Sequence, residues 1–231
     1  MKIKKKIAVV TGGAGFIGSH MVELLLSKNY QVRIIDNLSG GHKKNLKHCI
    51  NNTDLDFKNM DICNLNQNDK FFKNVECVFH FAGIGDIVPS IEKPGDYIMT
   101  NVQGTIKVLE ASRYSKIKKF IYAASASCYG KTKRLTNEKY RISTEHPYAL
   151  SKYLGEKAVL HWNKVYGLPA NSIRIFNAYG PRVRTTGAYG AVIGVFFKQK
   201  INKKPLTIVG DGKQSRDFVH VTDVVRAFFF S

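Results

Sequence analysis

Ile7-Ala8-Val9-Val10-Thr11-Gly12-Gly13-Ala14-Gly15-Phe16-Ile17-Gly18-Ser19-His20 runs from a short apolar segment through a glycine-rich turn into an apolar helix start. Each glycine has a separate job in such a turn. Gly12 permits the tight bend, Gly15 lets backbone approach phosphate oxygens, and Gly18 lets the helix pack close to the strand. The helix N-terminus then offers unpaired N–H groups and a partial positive charge to an anion. Downstream, Met21 to Leu26 is apolar on one face, and a second strand-like run, Gln31 to Ile35, ends in Asp36. An acidic residue about 20 positions past the glycines accepts hydrogen bonds from ribose hydroxyls and repels a 2′-phosphate. Glycines also make ordinary turns, and Asp36 alone would serve as a turn cap before Asn37. The order strand, glycine turn, helix, strand, acid favours a dinucleotide site, and the acid selects NAD over NADP.

The rest of the chain is consistent with one α/β unit. A length of 231 residues, with 44% hydrophobic and 23% charged content, suits a globular chain with a full core. The apolar run after the basic segment Met1 to Lys6 is too short for a signal peptide or a membrane span. Cys49, Cys63, Cys77 and Cys128 are scattered with no C-x-x-C pairing, which argues against a zinc site or a secreted disulfide framework. A cytoplasmic location with no metal is the expectation. The formal net charge of +19 raises a nucleic-acid or membrane partner. The lysines are dispersed over loops and helix ends, however, with no aromatic-interleaved basic stripe. Part of that positive field suits a diphosphate-bearing substrate, and neither nucleic acid nor membrane is expected as a partner.

Strand and helix patterns alternate along the chain. Strands are expected at Leu55 to Asn59, Cys77 to Phe81, Phe120 to Ala124, Asn171 to Phe176 and Leu206 to Val209. Helices are expected around Asn68 to Lys73, Tyr97 to Arg113, Ala149 to Tyr166 and from Val221 onward. This is the signature of a doubly wound parallel sheet, the Rossmann fold. The apolar residues of the Val221 helix have nothing after them to close over, so the chain reads as a fragment of a longer protein.

The second anchor is Tyr148-Ala149-Leu150-Ser151-Lys152. Spacing of i, i+4 puts phenol and ammonium on one helix face. A tyrosine at its ordinary pKa of about 10 is a poor base at neutral pH, and a nearby cation favours the phenolate. Upstream, Ser125 and Ser127 follow an apolar strand, whose end faces the ligand crevice in such sheets.

The glycine spacing with Phe16-Ile17-Gly18-Ser19-His20, together with Tyr148-x-x-x-Lys152, resembles the extended short-chain dehydrogenase/reductase family, in particular its nucleotide-sugar epimerases and dehydratases. The resemblance extends to Asn101-Val102-Gln103-Gly104-Thr105, to Arg174-Ile175-Phe176-Asn177-Ala178-Tyr179-Gly180-Pro181, a stretch that faces the substrate in the family, and to Gly210-Asp211-Gly212-Lys213-Gln214-Ser215-Arg216-Asp217-Phe218. It implies Tyr148 as catalytic base, Lys152 as its cofactor-binding partner, and Ser125 as the serine that shares the proton path. The implied cofactor-binding residues are Gly12, Gly15, Phe16, Ile17, Gly18, Asp36, Asn37, Asp61, Ile62, Phe81, Ala82, Gly83 and Asn101, with Tyr148 and Lys152. Ser127, Asn177 and Arg216 are the implied substrate contacts, Arg216 gripping a diphosphate with its planar guanidinium.

The same segment separates reactions. Family dehydratases resemble Thr-Asp-Glu before Val-Tyr-Gly, because eliminating water needs a further acid and base. Decarboxylating relatives carry the glutamate too. Here those positions hold Ala126 and Ser127. The resemblance therefore implies NAD-dependent epimerisation of a nucleotide-diphosphate sugar, a UDP-hexose at C4, through a transient 4-keto sugar. A dehydratase or decarboxylase is the alternative within the family, and a basic nucleic-acid binder the alternative outside it. Also implied are a dinucleotide-binding unit over 1–176, a partial substrate-binding region over 177–231, and a homodimer.

Overall fold

The computed structural model describes residues 5–132, 134–185, 192–208 and 210–231. Six parallel strands form one sheet: β1 (Ile7–Thr11), β2 (Gln31–Asp36), β3 (Leu55–Asn59), β4 (Cys77–His80), β5 (Lys119–Ser125) and β6 (Ala170–Ile175), in the order β3-β2-β1-β4-β5-β6. The chain leaves β1 in one direction as far as β3, then crosses back to place β4 on the other side of β1. Connections that diverge at this point open a crevice at the carboxyl ends of the strands. All five residues of β1 are buried, as expected of a strand covered on both faces.

Seven α-helices accompany the sheet among the described residues: α1 (Phe16–Ser27), α2 (Ile87–Glu92), α3 (Pro94–Ile98), α4 (Thr105–Tyr114), α5 (Pro147–Tyr166), α6 (Val192–Ile201) and α7 (Val221–Phe230). One apolar cluster joins Val9, Val78, Phe120 and Tyr122 to Leu109 and Val159 of α4 and α5. The other joins Val10, Ile34 and Phe79 to Met21 and Leu25 of α1. Beyond β6 a parallel pair, β7 (Asn177–Tyr179) and β8 (Phe218–His220), forms a separate small sheet.

Gly18 fixes how closely α1 meets β1. A Cβ there would lie 2.2 Å from the Gly12 carbonyl oxygen, so no side chain fits. Gly12 itself has φ +69°, and a Cβ would meet the Ala82 backbone nitrogen at 2.7 Å. The turn that opens α1 is therefore packed against the end of β4.

Three sequence expectations change. Residues 68–73 form only a single 3₁₀ turn, Lys70–Phe72, because Asp69 caps it by accepting the Phe71 N–H. The helix expected over Tyr97 to Arg113 is divided into α3 and α4 by a π-helical segment, Met99–Gly104. Its Asn101 bonds the Ile84 backbone through both ends of its amide, Ile84 N–H to Oδ1 at 2.8 Å and Nδ2 to Ile84 O at 3.0 Å. No strand forms over Leu206 to Ile208, and Val209 lies outside the described residues, as do Met1 to Lys4. The Thr207 backbone N–H is instead taken by the Gln199 side chain of α6 at 3.2 Å.

The Val221 helix takes its cover from earlier in the chain. It folds back onto α1, burying Val224, Val225 and Phe228 in the second apolar cluster. The Phe228 ring lies 4.6 Å from that of Phe81. Phe228→Ala is expected to cost about 3 kcal/mol or more, whereas Phe230→Ala, at a ring 76% exposed, should change stability by no more than about 0.5 kcal/mol. Urea unfolding midpoints of the two variants distinguish a docked α7 from a loosely attached one.

Candidate active site

The site forms where β5 ends. Ser125 is the last residue of β5 and caps the short turn Ala126–Tyr129, its Oγ accepting the Ser127 N–H at 3.2 Å. That turn brings the two serine hydroxyls within 3.0 Å, Ser125 donating to Ser127. From α5, the Tyr148 hydroxyl donates to Ser125 Oγ at 3.3 Å. Tyr148, Ser125 and Ser127 thus form one line of hydroxyls. The first link is long for an O–H···O bond.

Lys152 lies one turn further along α5 and is buried. Its Nζ sits 4.4 Å from the centroid of the Tyr122 ring. Burial lowers its pKa to about 7. Burial also pushes the Tyr148 phenol up, with the Ser125 hydrogen bond opposing that rise and Asp86 adding to it. The tuning expected from the pair is accordingly not complete in the protein alone: both groups favour their neutral forms, because removal from water outweighs the polar contacts present.

Asn101 holds the wall beside Lys152. Its Nδ2 donates to Ser151 Oγ at 2.9 Å, and Ser151 in turn donates to the Tyr148 carbonyl. A Cβ on Gly83 would meet Asn101 Oδ1 at 2.8 Å and Lys152 Nζ at 3.7 Å, so the β4 loop passes directly over this amide and ammonium. Beneath lies a buried polar chain that sequence reading missed. Thr105 donates to the Asn101 carbonyl at 2.7 Å, and His80 joins Thr105 Oγ1 at 2.9 Å and Thr11 Oγ1 at 2.5 Å. With the Thr105 proton already committed, His80 donates from Nε2 and accepts from Thr11 at Nδ1. Burial, then Lys152, depresses its pKa to about 3, so it stays neutral.

The dinucleotide-side residues assemble around the glycine turn. Asp36 is buried at the end of β2 and accepts the N–H groups of Ala14 at 2.9 Å and Leu38 at 2.8 Å. A carboxylate has about four acceptor sites, which leaves capacity for ribose hydroxyls. Asn37 donates to Asp61 Oδ2 at 2.9 Å, and Asp61 also caps the turn that begins at buried Ile62. Phe16 and Ile17 begin α1, behind an N-terminus with no side-chain cap. Phe81 has its ring on Phe228, while the Ala82 N–H is bonded to Thr11 Oγ1 at 3.3 Å. An open approach at Gly15, where a Cβ would meet only the Gly12 carbonyl oxygen at 3.1 Å, an uncapped helix N-terminus and a nearby buried carboxylate together fit an adenine dinucleotide with its pyrophosphate on α1. Asn45, also missed, supports the turn by donating to the Ala14 carbonyl at 2.9 Å.

Not every expected residue joins the site. Arg216 is exposed, and its guanidinium donates to the Ser215 carbonyl at 2.7 Å. Asn177 uses its amide on the Asp217 carbonyl at 2.9 Å, tying β7 to the segment that carries Arg216. Arg174, in the stretch taken as substrate-facing, is committed elsewhere. It makes a bidentate pair with buried Glu156 of α5 at 2.9 and 2.6 Å and donates to the Tyr129 hydroxyl at 2.8 Å. A shallow cleft of about 470 Å³ against α6, lined by Val183, Gly194 and Phe197 among others, contains none of the Tyr148 group.

With this geometry in place, comparison with known proteins gives a consistent family. The chain belongs to the NAD dependent epimerase/dehydratase family, whose sequence model matches residues 8–231. It is similar to the structure of a UDP-N-acetylglucosamine 4-epimerase from Methanobrevibacter ruminantium in complex with UDP-N-acetylmuramic acid, with TM-score 0.94 and 35% identity, covering 99% of this chain and 73% of that one. A UDP-glucuronic acid 4-epimerase from Bacillus cereus, in complex with UDP-glucuronic acid and NAD, gives TM-score 0.88 and 33% identity over 96% of this chain and 72% of that one. A UDP-N-acetyl-alpha-D-glucosaminuronate decarboxylase of Bacillus cytotoxicus is 35% identical over 229 residues, 96% of this chain and 70% of that protein.

Two consequences are measurable. Lys152 has a folded pKa near 7 against 10.5 unfolded, so between those values the unfolded chain binds more protons and stability rises with pH. Lys152→Met should be more stable than the parent at pH 7, with the gap closing as pH approaches 10; parallel denaturation midpoints from pH 7 to 10 would contradict this. Glu156→Ala removes both carboxylate acceptors from the half-buried Arg174 guanidinium, which keeps its bond to Tyr129, and should cost about 1.5–3 kcal/mol, read as a lowered thermal midpoint.

Proposed function

We propose that this protein epimerises a nucleotide-activated sugar, a UDP-hexose at C4, using bound NAD. The observation that carries the reading is the hydroxyl line from Tyr148 through Ser125 to Ser127 at the crevice end of β5. When bound, NAD supplies the acceptor and donor for the hydrogen at the reacting carbon. The protein's own contribution is to hold the sugar hydroxyl against Tyr148 and Ser125 and to take and return its proton. Deprotonated Tyr148 accepts the proton from the sugar hydroxyl, and Ser125 keeps a hydrogen bond to both oxygens as it moves. Lys152, buried beside Gly83, orients the cofactor side and gives Tyr148 a cation when protonated. Asp36, Asn37, Asp61 and the glycine turn hold the dinucleotide, with Phe16, Ile17, Gly18, Ile62, Phe81, Ala82, Gly83 and Asn101 forming its walls. Ser127 and Asn177 contact the nucleotide sugar, and Arg216 serves the diphosphate.

Ala126 and Ser127 support epimerisation over the dehydratase and decarboxylase alternatives, because no carboxylate stands there to act on a second proton. Division into a dinucleotide unit over 1–176 and a substrate region over 177–231 follows the break between the two sheets, although α7 packs on the first. A homodimer is supported by exposed Leu150, Leu154, Leu160 and Val165 on α5. Among the described residues no helix is long and apolar enough to cross a membrane. All four cysteines are unpaired, which favours the reducing cytoplasm.

The decisive experiment incubates the protein with NAD and a panel of UDP-, GDP- and CDP-sugars and follows anomeric signals by proton NMR. A reversible approach to two epimers is expected. Tyr148→Phe should abolish it, and Ser125→Ala should slow it on the order of 10²–10⁴-fold. A keto-deoxy or pentose product would replace this reading with dehydration or decarboxylation.

A further inference from the structure

His146 stands immediately before Pro147 and is the N-cap of α5, with φ −153° and ψ 160°. Its Nδ1 accepts the Ala149 N–H at 3.2 Å. Serine, threonine, asparagine or aspartate usually fills that role, and none of them gains a proton and a charge near neutral pH. The same imidazole lies parallel to the Tyr148 ring, 5.8 Å between centroids and 4° between planes. Tyr97 meets the Tyr148 ring edge-on at 6.4 Å and is fixed by donating its hydroxyl to the Asp86 carbonyl at 2.6 Å. Tyr148 is thus set by two aromatic neighbours, and one of them also closes the first turn of its helix.

We propose that His146 is the positioning residue for Tyr148, and that it works only as the neutral imidazole. The requirement follows from the cap. An Nδ1 lone pair accepts the Ala149 N–H, whereas a protonated ring presents a donor at Nδ1 and places two N–H groups head to head. A cation at a helix N-terminus also opposes the helix dipole. Protonation therefore opens the first turn of α5, and the phenol moves with it. Glu145 is the charged neighbour on the same loop, itself occupied at Oε1 by the Lys131 N–H at 3.0 Å. From the packed α2–α3 side, Asp86 and Tyr97 face Tyr148. Burial holds the imidazole below its ordinary pKa and Glu145 opposes that shift, so the neutral form prevails at pH 7.

This inference rests on Tyr148 being the catalytic base, and the test separates the two. Turnover of the identified sugar is measured from pH 5 to 9 for the parent, His146→Asn, His146→Ala and Tyr148→Phe, with NAD affinity and amide hydrogen exchange at Ala149 followed in each. The parent should lose kcat on the acid side in a step below pH 6.5, accompanied by faster exchange at Ala149. His146→Asn, which caps without titrating, should retain kcat within about threefold and lose that step. His146→Ala should lower kcat by about ten- to a hundredfold with NAD affinity changed less than threefold. If both His146 variants keep the parental pH profile and kcat, the inference is overturned while loss of activity in Tyr148→Phe upholds the base assignment. Full activity in Tyr148→Phe would overturn both.

Discussion

Helix α5 can deliver Tyr148 and Lys152 to the end of the sheet only because it lies against β5 with no side chain between them at Gly155. A Cβ there would stand 2.4 Å from the Tyr122 hydroxyl and 2.8 Å from the Asn101 carbonyl oxygen. Closing that gap puts the Lys152 ammonium over the Tyr122 ring and inside the protein, where a charge is costly. The depressed Lys152 pKa is the direct result of this packing. So is the contact between the π-helical turn around Asn101 and the first turns of α5, since Ser151 can reach Asn101 only at such short range.

Once the helix sits this close, the polar groups trapped around it need partners. They find them in one another, from the sheet outward. Thr11, His80, Thr105 and the Asn101 carbonyl satisfy one another beneath Lys152, and no buried side-chain nitrogen or oxygen among the described residues is left without a partner. A neutral His80 belongs in that arrangement, because a second cation beside Lys152 would be repelled. One turn further along the same face of the helix, Glu156 and Arg174 join α5 to β6 with a bidentate pair, and Arg174 extends the tie to Tyr129 at the end of the serine turn. Removal of Arg174 would leave the buried Glu156 carboxylate unpaired, so the pair enforces a fixed distance between α5 and β6.

How much of this was legible in the sequence differs by element. The glycine turn, β1, β2 and α5 were readable because their signals are local: apolar runs, glycine spacing, and Tyr148 four residues before Lys152. Tyr148, Ser125 and Ser127 come together as expected, since a strand end and a helix start at a known crevice leave little freedom. Interactions between distant segments were not readable. Arg174 looked substrate-facing within its own stretch, and only the three-dimensional placement of Glu156 claims it. Phe228 looked uncovered because its cover, α1, lies some two hundred positions earlier. Leu206 to Val209 has strand-like residues, but a strand needs a neighbour, and Gln199 took the Thr207 N–H first.

Overall similarity does not choose between the reactions of this family. Epimerases and a decarboxylase match this chain at comparable identity and over comparable lengths. The choice rests on the few atoms next to the sugar. Elimination and decarboxylation each need a proton moved at a second carbon, and an ionisable side chain within reach to move it. At the turn after β5 this chain offers a methyl group at Ala126 and a hydroxyl at Ser127 that is already bonded to Ser125. A serine so engaged can steady a sugar oxygen but is far too weak an acid or base to carry a second proton transfer. On the proposed reading Tyr148 carries the proton transfer at the end of β5, and one such group suffices for a reaction that takes a proton from a hydroxyl and later gives it back.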